Sequence, residues 1–390
     1  TGVQTCALPI SMDVQKAVID FEYPEKCEIR SYKPTTKGNY VQVRRVMAAL
    51  EEAEKPLICI GGGVFAAHAE NEIRELADLM QIPVITTMMG ISVFPDDDQL
   101  FCGMIGTHGV KMANAAVNEC DVLFLVGARV GDRAVKTPLA LEKTTKIIHI
   151  DIDPAEIGKN IGADLPLVGD AKLVLQQMTE LAKPMKHDEW IAHIKTLGGE
   201  RKYVEPAKGT VNPRVFIDRL AKKMPANVTV VADVGQNQIW TCTEYKFRKE
   251  GRLLTSGGMG TMGYSVPAAI GAKMADNSRA TVAICGDGAF QMSFMELATA
   301  VQFGVDIKVV VMTNNRLGMV RELQTNGYHD RQTAVFLDGS PDFIKLAEAY
   351  GIPAMRVYDD DTMEKGIEML AEHKGICLVE VVVDKDMPTL

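Results

Sequence analysis

Short apolar runs alternate with helical patterns along most of this 390-residue chain. The first series predicts helices over 41–54, 66–80, 111–118 and 171–182, and strands over 56–60, 83–87, 121–126 and 146–151. Short apolar strands that alternate with helices are typical of a parallel sheet covered by helices on both faces. The pattern therefore predicts a doubly wound α/β domain over 41–183.

A second series begins after 184–210, a stretch of proline, glycine and charged residues that predicts an interdomain linker. This series predicts helices over 213–223, 262–274, 291–303, 342–350 and 362–373, and strands over 228–234, 252–255, 281–285, 307–313 and 377–383. The predicted fold class is α/β, with two doubly wound parallel-sheet domains at 41–183 and 211–390.

The composition argues against several classes of protein. Apolar residues make up 47% of the chain, charged residues make up 24%, and the formal net charge is −9. An acidic chain without a basic block is a poor candidate for nucleic-acid binding, and no apolar run approaches the ~20 residues of a membrane span. The eight cysteines are scattered without a CxxC pair, which indicates a reducing compartment such as the cytoplasm. The sequence has no HExxH or GxSxG motif, which argues against a zinc or serine hydrolase.

One glycine-rich motif has two interpretations. Gly258, Gly260 and Gly263 match GxGxxG between the strand over 252–255 and a predicted helix. A dinucleotide-binding turn, which would hold NAD or FAD, has this spacing. So does a turn that only lets a strand and a helix pack closely. We favour the second interpretation, because a lone GxGxxG is weak evidence in a chain with 33 glycines.

A more specific pattern places polar groups at two strand ends. Asp287, in a Gly-Asp-Gly motif, follows the strand over 281–285, and Asn314 follows the next strand 27 residues later. The carboxyl ends of parallel strands hold the ligands of open α/β sheets, and carboxylate and amide oxygens suit Mg²⁺. The N–H groups of Gly288 and Ala289, at the start of a helix, would favour a diphosphate. Taken singly, an N-cap Asp and a turn Asn are both common.

The Gly-Asp-Gly motif at 286–288 followed by Asn-Asn at 314–315 resembles the signature of thiamine-diphosphate enzymes. From about residue 12 to 385 the chain more closely resembles the catalytic large subunits of acetolactate synthase, with matching stretches at 127–129, 132–133, 149–160, 234–238, 258–271 and 286–320. The resemblance implies a transferase of isoleucine and valine biosynthesis that decarboxylates pyruvate and condenses the hydroxyethyl unit with a second 2-oxo acid. It also implies thiamine diphosphate, Mg²⁺ and FAD as cofactors, and a homodimer or homotetramer with a small regulatory subunit.

The resemblance also implies roles for residues of the second domain. The implied metal ligands are the side chains of Asp287 and Asn314 and the backbone carbonyl of Arg316. The implied catalytic residues are Met262, which would hold the two rings of the cofactor in a V, and Gln236 and Gln238. A methionine in a glycine-rich turn is otherwise more often core filler. The implied cofactor-binding residues are Val234, Gly235, Gly260, Met262, Asp287, Gly288, Ala289, Asn314, Gly318 and Met319.

In the first domain the resemblance implies an FAD site. Glycines permit close approach of the backbone to a ligand, and Arg129 could meet a phosphate. A tight βα turn at 61–63 and an ordinary loop histidine at 108 would explain those positions without a flavin. The implied FAD residues are Gly61, Gly62, Gly63, Thr87, Gly106, His108, Gly109, Gly127, Arg129, Arg133, Asp151, Ile152 and Asp170.

The start of the chain differs from the rest. Residues 1–10 lack the basic and apolar regions of a signal peptide and look like a translated sequencing adapter, so we expect an assembly artefact there. Residues 11–40 are expected to be the end of an N-terminal pyrimidine-binding domain and a linker, with 11–15 resembling its last strand. The activating glutamate of the family lies in that domain, so the chain alone is expected to be inactive.

Three departures from the family keep the substrate open. Asn237 stands where the family usually has histidine, Leu323 stands where many members have tryptophan, and Gly131 replaces a frequent aspartate. The alternatives are another thiamine-diphosphate-dependent 2-oxo acid decarboxylase or carboligase, a non-catalytic nucleotide-binding module, and the inert product of a truncated gene.

Overall fold

The computed structural model describes residues 12–18, 20, 22, 24–25, 33–199 and 203–390. The chain divides after Pro34 into two units. In the first unit, α1 (Met12–Lys16) is a short helix, so the strand expected over 11–15 is wrong for its described part. A helix satisfies its backbone groups internally, whereas a strand needs a neighbour. The adapter-like residues 1–10 lie outside the described residues.

The second unit, Thr35–Leu390, contains both predicted sheets, so the predicted fold class is confirmed. The first sheet has the strand order β3-β2-β1-β4-β5-β6, and its strand pairs are parallel. Apolar residues of α2, α4 and α7 pack on one face, and those of α5 and α8 pack on the other. The elements are α2 (Tyr40–Glu52), β1 (Pro56–Ile60), α3 (Gly63–Ala66), α4 (Glu70–Met80), β2 (Val84–Thr86), β3 (Phe101–Met104), α5 (Lys111–Glu119), β4 (Val122–Val126), α6 (Pro138–Leu141), β5 (Lys146–Asp151), β6 (Leu165–Val168), α7 (Ala171–Thr179) and α8 (Asp188–Thr196).

The second sheet has the order β11-β12-β10-β9-β7-β8 and is also parallel. Apolar residues of α9, α10 and α16 cover one face, and those of α11, α13 and α15 cover the other. The elements are α9 (Pro213–Lys223), β7 (Thr229–Ala232), α10 (Gln236–Glu244), β8 (Arg252–Thr255), α11 (Ser265–Ala275), β9 (Thr281–Gly286), α12 (Asp287–Phe290), α13 (Leu297–Gln302), β10 (Lys308–Thr313), α14 (Gly318–Gly327), α15 (Phe343–Ala349), β11 (Ala354–Val357), α16 (Asp360–Glu372) and β12 (Cys377–Val382).

The segment predicted as a linker contains one packed helix, α8. The side chain of Trp190 in this helix is buried, and its indole N–H donates to the carbonyl of Pro56 at 3.0 Å. The helix therefore belongs to the first sheet, and only the chain after it connects the two sheets. The proline and glycine content of 184–210 concealed an amphipathic stretch of nine residues.

The sequence patterns also missed the breaks in two helices. The helix expected over 66–80 is divided into α3 and α4, with His68 at a positive φ of 51° between them. The helix expected over 291–303 is replaced by a 3₁₀ turn at Phe294–Glu296 and by α13, and the short helix α12 ends just before it at Phe290. In both places apolar residues continue through the break, so hydrophobic spacing gives no sign of it. None of the helices in the described part of the chain is long and apolar enough to cross a membrane.

The two sheets meet through contacts between the loop after β2 and the region around β8. The N–H of Phe247 donates to the Asp96 carboxylate at 2.8 Å, and the N–H of Leu253 donates to the hydroxyl of Ser92 at 2.9 Å. Arg252 and Glu70 form an ion pair at 3.0 Å. These contacts hold the amino-terminal half of β8 against the first sheet.

Asp96 makes the stability of this contact depend on pH. Burial raises the pKa of Asp96 to about 6, although Lys246, 3.7 Å away, favours the ionised form. Because this pKa lies above the ordinary value of about 3.9, the folded state binds more protons, and stability falls as pH rises through this range. We compare the free energy of unfolding of Asp96→Asn with that of the parent protein. We expect this difference to shift in favour of the variant by about 2–3 kcal/mol from pH 4 to pH 7.

Urea unfolding at the two pH values measures this difference. Asp97→Asn, at the exposed neighbouring position, is the matched control and should show no such change. A constant difference between Asp96→Asn and the parent protein would contradict the prediction.

Candidate cofactor site

The carboxyl ends of β7, β9 and β10 open into a cavity of about 130 Å³. The chain leaves β7 for β8 on one side of the sheet and returns to β9 on the other side of β7. This reversal is the topological switch point, where open α/β sheets bind ligands. The residues that line the cavity include Val234, Gly235, Gln236, Met262, Asp287, Gly288, Ala289, Asn314, Arg316, Gly318 and Met319.

Asp287 lies at the bottom of this site and is 1% exposed. Its Oδ1 accepts from the N–H of Gly288 at 2.8 Å, and its Oδ2 accepts from the N–H groups of Asn314 and Asn315 at 3.2 and 2.6 Å. Burial raises the pKa of this carboxyl to about 6 despite these hydrogen bonds. Asp287 is thus not an N-cap, and a cation beside it would favour the ionised form.

The loop after β10 carries the second oxygen donor. Oδ1 of Asn314 accepts from the N–H of Arg316 at 3.1 Å, and its Nδ2 donates to Oε1 of Gln236 at 3.2 Å. Asn315 has a positive φ of 53°, a conformation that asparagine tolerates better than most residues. The guanidinium of Arg316 donates to Asp338 at 2.8 Å and lies 4.6 Å from the centre of the Phe336 ring. The loop is therefore held by Gln236 through Asn314 and by Asp338 and Phe336 through Arg316.

Carboxylate, amide and backbone oxygens are the donors that a hard cation prefers. Asp287 and Asn314 present such atoms at adjacent strand ends, so the side chains present fit Mg²⁺. A β-carbon at position 288 would lie 2.7 Å from Cδ2 of Leu317, and one at position 318 would overlap Oε1 of Gln236. A larger residue at either position would therefore displace these side chains from their present places in the site.

Asp233, which the sequence analysis did not select, anchors the glycine-rich turn. This fully buried carboxylate accepts from the N–H groups of Val234, Gly263 and Ser265 at 2.9, 3.0 and 2.8 Å. Gly263 has a positive φ of 81°, which a residue with a β-carbon rarely adopts. The helix expected from 262 begins only at Ser265, because the preceding residues form this turn and place Met262 in the cavity wall.

Two of the residues implied by resemblance lie outside the cavity lining. The side chain of Gln238 is buried and donates to Oγ1 of Thr255 at 2.6 Å, and Gly260 lies in the turn at a positive φ of 66°. The lining also includes residues that were not selected as site residues: Asn237, Trp240, Gly286, Met312, Leu317 and Val320. A helical spacing of three or four residues from Gln236 and Asn237 could have indicated Trp240.

A second group of predicted residues lies at the carboxyl ends of the first sheet. The strand order of that sheet is the classic order of dinucleotide-binding folds, with the switch point between β1 and β4. Gly61 and Gly127 follow these two strands, and a β-carbon on Gly61 would overlap the carbonyl of Gly127. The glycines therefore let two loops pack together at the switch point, which agrees with the tight-turn interpretation and leaves the flavin interpretation open.

Other residues of the implied FAD set differ in their surroundings. Arg129 is exposed, and within the described part of the chain its guanidinium has no hydrogen-bond or ion-pair partner. Burial, followed by the charge of Arg133, holds the pKa of His108 below its usual value, so this ring is neutral near pH 7. Asp170 caps α7 by accepting from the N–H of Leu173, and Asp151 accepts from the N–H of Asp153. Both carboxylates thus already have a structural role.

Two sequence models of protein families match the chain. The central domain of thiamine pyrophosphate enzymes matches residues 43–178, and the C-terminal TPP-binding domain of these enzymes matches residues 233–381. The first match covers the sheet with Gly61, and the second covers the cavity with Asp287. Fold, site and family models thus agree on the class of thiamine pyrophosphate enzymes.

The chain is also similar to curated proteins over most of its length. It is 39% identical to the probable acetolactate synthase large subunit of Methanocaldococcus jannaschii over 391 residues, which cover 97% of this chain and 66% of that protein. It is 34% identical to the acetolactate synthase isozyme 3 large subunit of Escherichia coli over 394 residues, which cover 96% of this chain and 68% of that protein. The chain belongs to the family of acetolactate synthase large subunits. It spans about two thirds of the length of these relatives.

Proposed function

We propose that the protein to which this chain belongs is a thiamine-diphosphate-dependent and Mg²⁺-dependent acetolactate synthase. It would decarboxylate pyruvate and join the remaining two-carbon unit to a second 2-oxo acid, in the biosynthesis of isoleucine and valine. The observation that carries this proposal is the cavity at the switch point, with Asp287 and Asn314 side by side, in a chain of this family. Cysteine usage in the sequence supports a cytoplasmic location.

The diphosphate end of the cofactor would lie at Asp287, Asn314 and the neighbouring backbone. Asp287 and Asn314 would hold Mg²⁺ through their side chains, with the backbone carbonyl of Arg316 as a further ligand. The backbone around Gly288, Ala289 and Gly318 would meet the phosphate oxygens, since these residues line the cavity. When bound, thiamine diphosphate supplies a carbon nucleophile and an electron sink for decarboxylation.

The residues of this chain would mainly orient the cofactor and exclude water. Met262 and Met312 give the cavity an apolar wall. The backbone of the glycine-rich turn is held by hydrogen bonds to Asp233, so the protein fixes this part of the site without the cofactor. A rigid, partly apolar site strengthens electrostatic interactions with a charged ligand. We assign no residue of this chain as the acid that activates the pyrimidine ring.

We propose FAD as a further cofactor, held in the first domain. The guanidinium of Arg129, which has no partner among the described residues, and the dinucleotide-type strand order support a ligand with a diphosphate at the switch point. The flavin would have a structural role rather than a redox role. Copurification of flavin absorbance with the protein tests this, and a colourless protein that binds no added FAD would contradict it.

The partners are proposed from the relatives. Both relatives described above are named large subunits, which supports a complex with a small regulatory subunit. We propose that the large subunit forms a homodimer or homotetramer. The substrates would be pyruvate and one further 2-oxo acid.

The experiment that tests the activity is the formation of acetolactate from pyruvate by the full protein as its gene encodes it. We expect product only when thiamine diphosphate and Mg²⁺ are both present, because the site contains donors for both. Bound cofactor without acetolactate would instead favour a different 2-oxo acid decarboxylase or carboligase. The exposed Leu323, which stands where many family members have tryptophan, is compatible with such a different substrate. Absence of cofactor binding, with NAD bound instead, would favour a nucleotide-binding module.

A further inference from the structure

A chain of hydrogen bonds that starts in the cavity lining and continues behind it sets the orientation of Asn314. Its Nδ2 donates to Oε1 of Gln236 at 3.2 Å, and its Oδ1 accepts from the N–H of Arg316 at 3.1 Å. A side-chain amide has a donor face and an acceptor face, so a partner that accepts from the nitrogen directs the oxygen to the opposite side. Gln236, together with the N–H of Arg316, therefore sets which face of Asn314 a cation at Asp287 would meet.

The orientation of Gln236 is itself determined by neighbouring groups that act as hydrogen-bond acceptors toward its amide and cannot act as donors to it. Its Nε2 donates to the carbonyl of Met387 at 2.9 Å and to the Glu322 carboxylate at 3.3 Å, and it also lies 3.1 Å from Oγ1 of Thr389. A rotated amide would bring its oxygen against the carboxylate and the carbonyl, which is unfavourable. The side chain of Gln236 is 4% exposed, so water cannot replace these partners.

Glu322 also holds the segment that supplies the other two partners. Its Oε2 accepts from the N–H of Thr389 at 3.1 Å and from the Thr389 hydroxyl. Since that hydroxyl gives its hydrogen to Glu322, its oxygen is free to accept from Gln236. Glu322 thus acts on Gln236 both directly and through the position of residues 387–389.

From these contacts we propose that Glu322 is a positioning residue for the metal site. Acting through Gln236, it presents Oδ1 of Asn314, rather than Nδ2, to the cation at Asp287. The proposal rests on the proposed function, since it concerns the same Mg²⁺ site. Groups behind the direct ligands commonly contribute to metal affinity in this way, and their loss typically costs about 10–100-fold.

The test measures binding of Mn²⁺, in place of Mg²⁺, to the full protein by electron paramagnetic resonance in the presence of thiamine diphosphate. We expect Glu322→Leu to weaken Mn²⁺ binding roughly 10-fold. Glu322→Gln should bind nearly as the parent protein does, because its Oε1 can accept the same three hydrogens. Gln236→Leu should be weaker than either, since it removes the acceptor of Asn314 itself.

Gln324→Leu is the matched control on the same helix, α14. Among the described residues, the amide of Gln324 hydrogen-bonds only to the backbone of Thr333, at 2.9 and 3.2 Å, and we expect unchanged Mn²⁺ binding. Thermal unfolding without metal shows whether each variant is folded. A folded Glu322→Leu with the Mn²⁺ affinity of the parent protein, or an equal loss in Glu322→Gln, would overturn the positioning role alone. Absence of Mn²⁺ binding by the parent protein would instead overturn the proposed metal site and the positioning role together.

Discussion

Replacing Asp287 with asparagine is expected to abolish Mg²⁺-dependent binding of thiamine diphosphate. The variant removes the one anionic ligand that the structure places at the site. It also sets an amide nitrogen against backbone N–H groups, because both oxygens of Asp287 accept from the backbone. Loss of a group that hydrogen-bonds to a metal ligand lowers metal affinity by up to about 100-fold. Loss of a direct anionic ligand should therefore lower the affinity by more than that. Titration calorimetry with thiamine diphosphate at fixed Mg²⁺ measures the affinity.

Asp218→Asn provides a control of the same chemical change on the surface of the same domain. Asp218 pairs with Lys222 along α9, so its loss should leave cofactor binding unchanged. Acetolactate formation should disappear in Asp287→Asn and persist in Asp218→Asn. Retention of Mg²⁺-dependent binding in Asp287→Asn would place the metal elsewhere.

Asp233→Ala is expected to destabilise the protein by about 3 kcal/mol or more, because it leaves up to three buried N–H groups without an acceptor. The turn that carries Met262 should also lose its fixed conformation, since the N–H groups of Gly263 and Ser265 both donate to this carboxylate. Urea unfolding measures the first effect. The affinity for thiamine diphosphate measures the second.

Asp359→Ala is the matched control, since Asp359 also accepts a backbone N–H, that of Thr362, but is an exposed N-cap of α16. Loss of an N-cap typically costs about 1 kcal/mol. Should Asp233→Ala fail to fold, Asp233→Asn keeps one acceptor and should show a smaller loss of the same kind. An effect of Asp233→Ala no larger than that of Asp359→Ala would show that the turn is held by other contacts.

Whether a strand can be predicted from the sequence depends largely on its position in the sheet. The central strands β1, β4, β9 and β10 are buried almost throughout, so their apolar runs are continuous and were predicted within about two residues. The strands that were missed, β3, β6 and β11, are all edge strands. Their burial is interrupted, so no apolar run marks them, and only pairing with a neighbour makes them strands.

Helix α10 shows the opposite limit. All nine residues of Gln236–Glu244 are buried, although six are polar. Burial on every side removes the amphipathic period that identifies a helix. The polar side chains are satisfied inside the fold, as when Nδ2 of Asn237 donates to the carbonyl of Ile284 at 3.2 Å. The amino acids alone could not predict this, because their partners come from distant parts of the chain.

The candidate site divides in the same way. Asp287 and Asn314 were predicted because polar residues that end buried strands must meet at one edge of a parallel sheet. Asp233 ends β7 and obeys the same rule, so the sequence carried a usable signal for it. Glu322 and Thr389 carried none, since 67 residues separate them and neither ends a strand.

The local pattern of apolar and polar residues by itself determined the α/β class, the central strands and the polar groups at their carboxyl ends. These features depend on neighbours within a few residues, where period and spacing are decisive. The tertiary structure alone decided the edge strands β3, β6 and β11, the buried helix α10, the anchoring of the glycine-rich turn and the orientation of Asn314. Each of these depends on hydrogen bonds between residues far apart in sequence, and such partners become neighbours only when the sheets assemble.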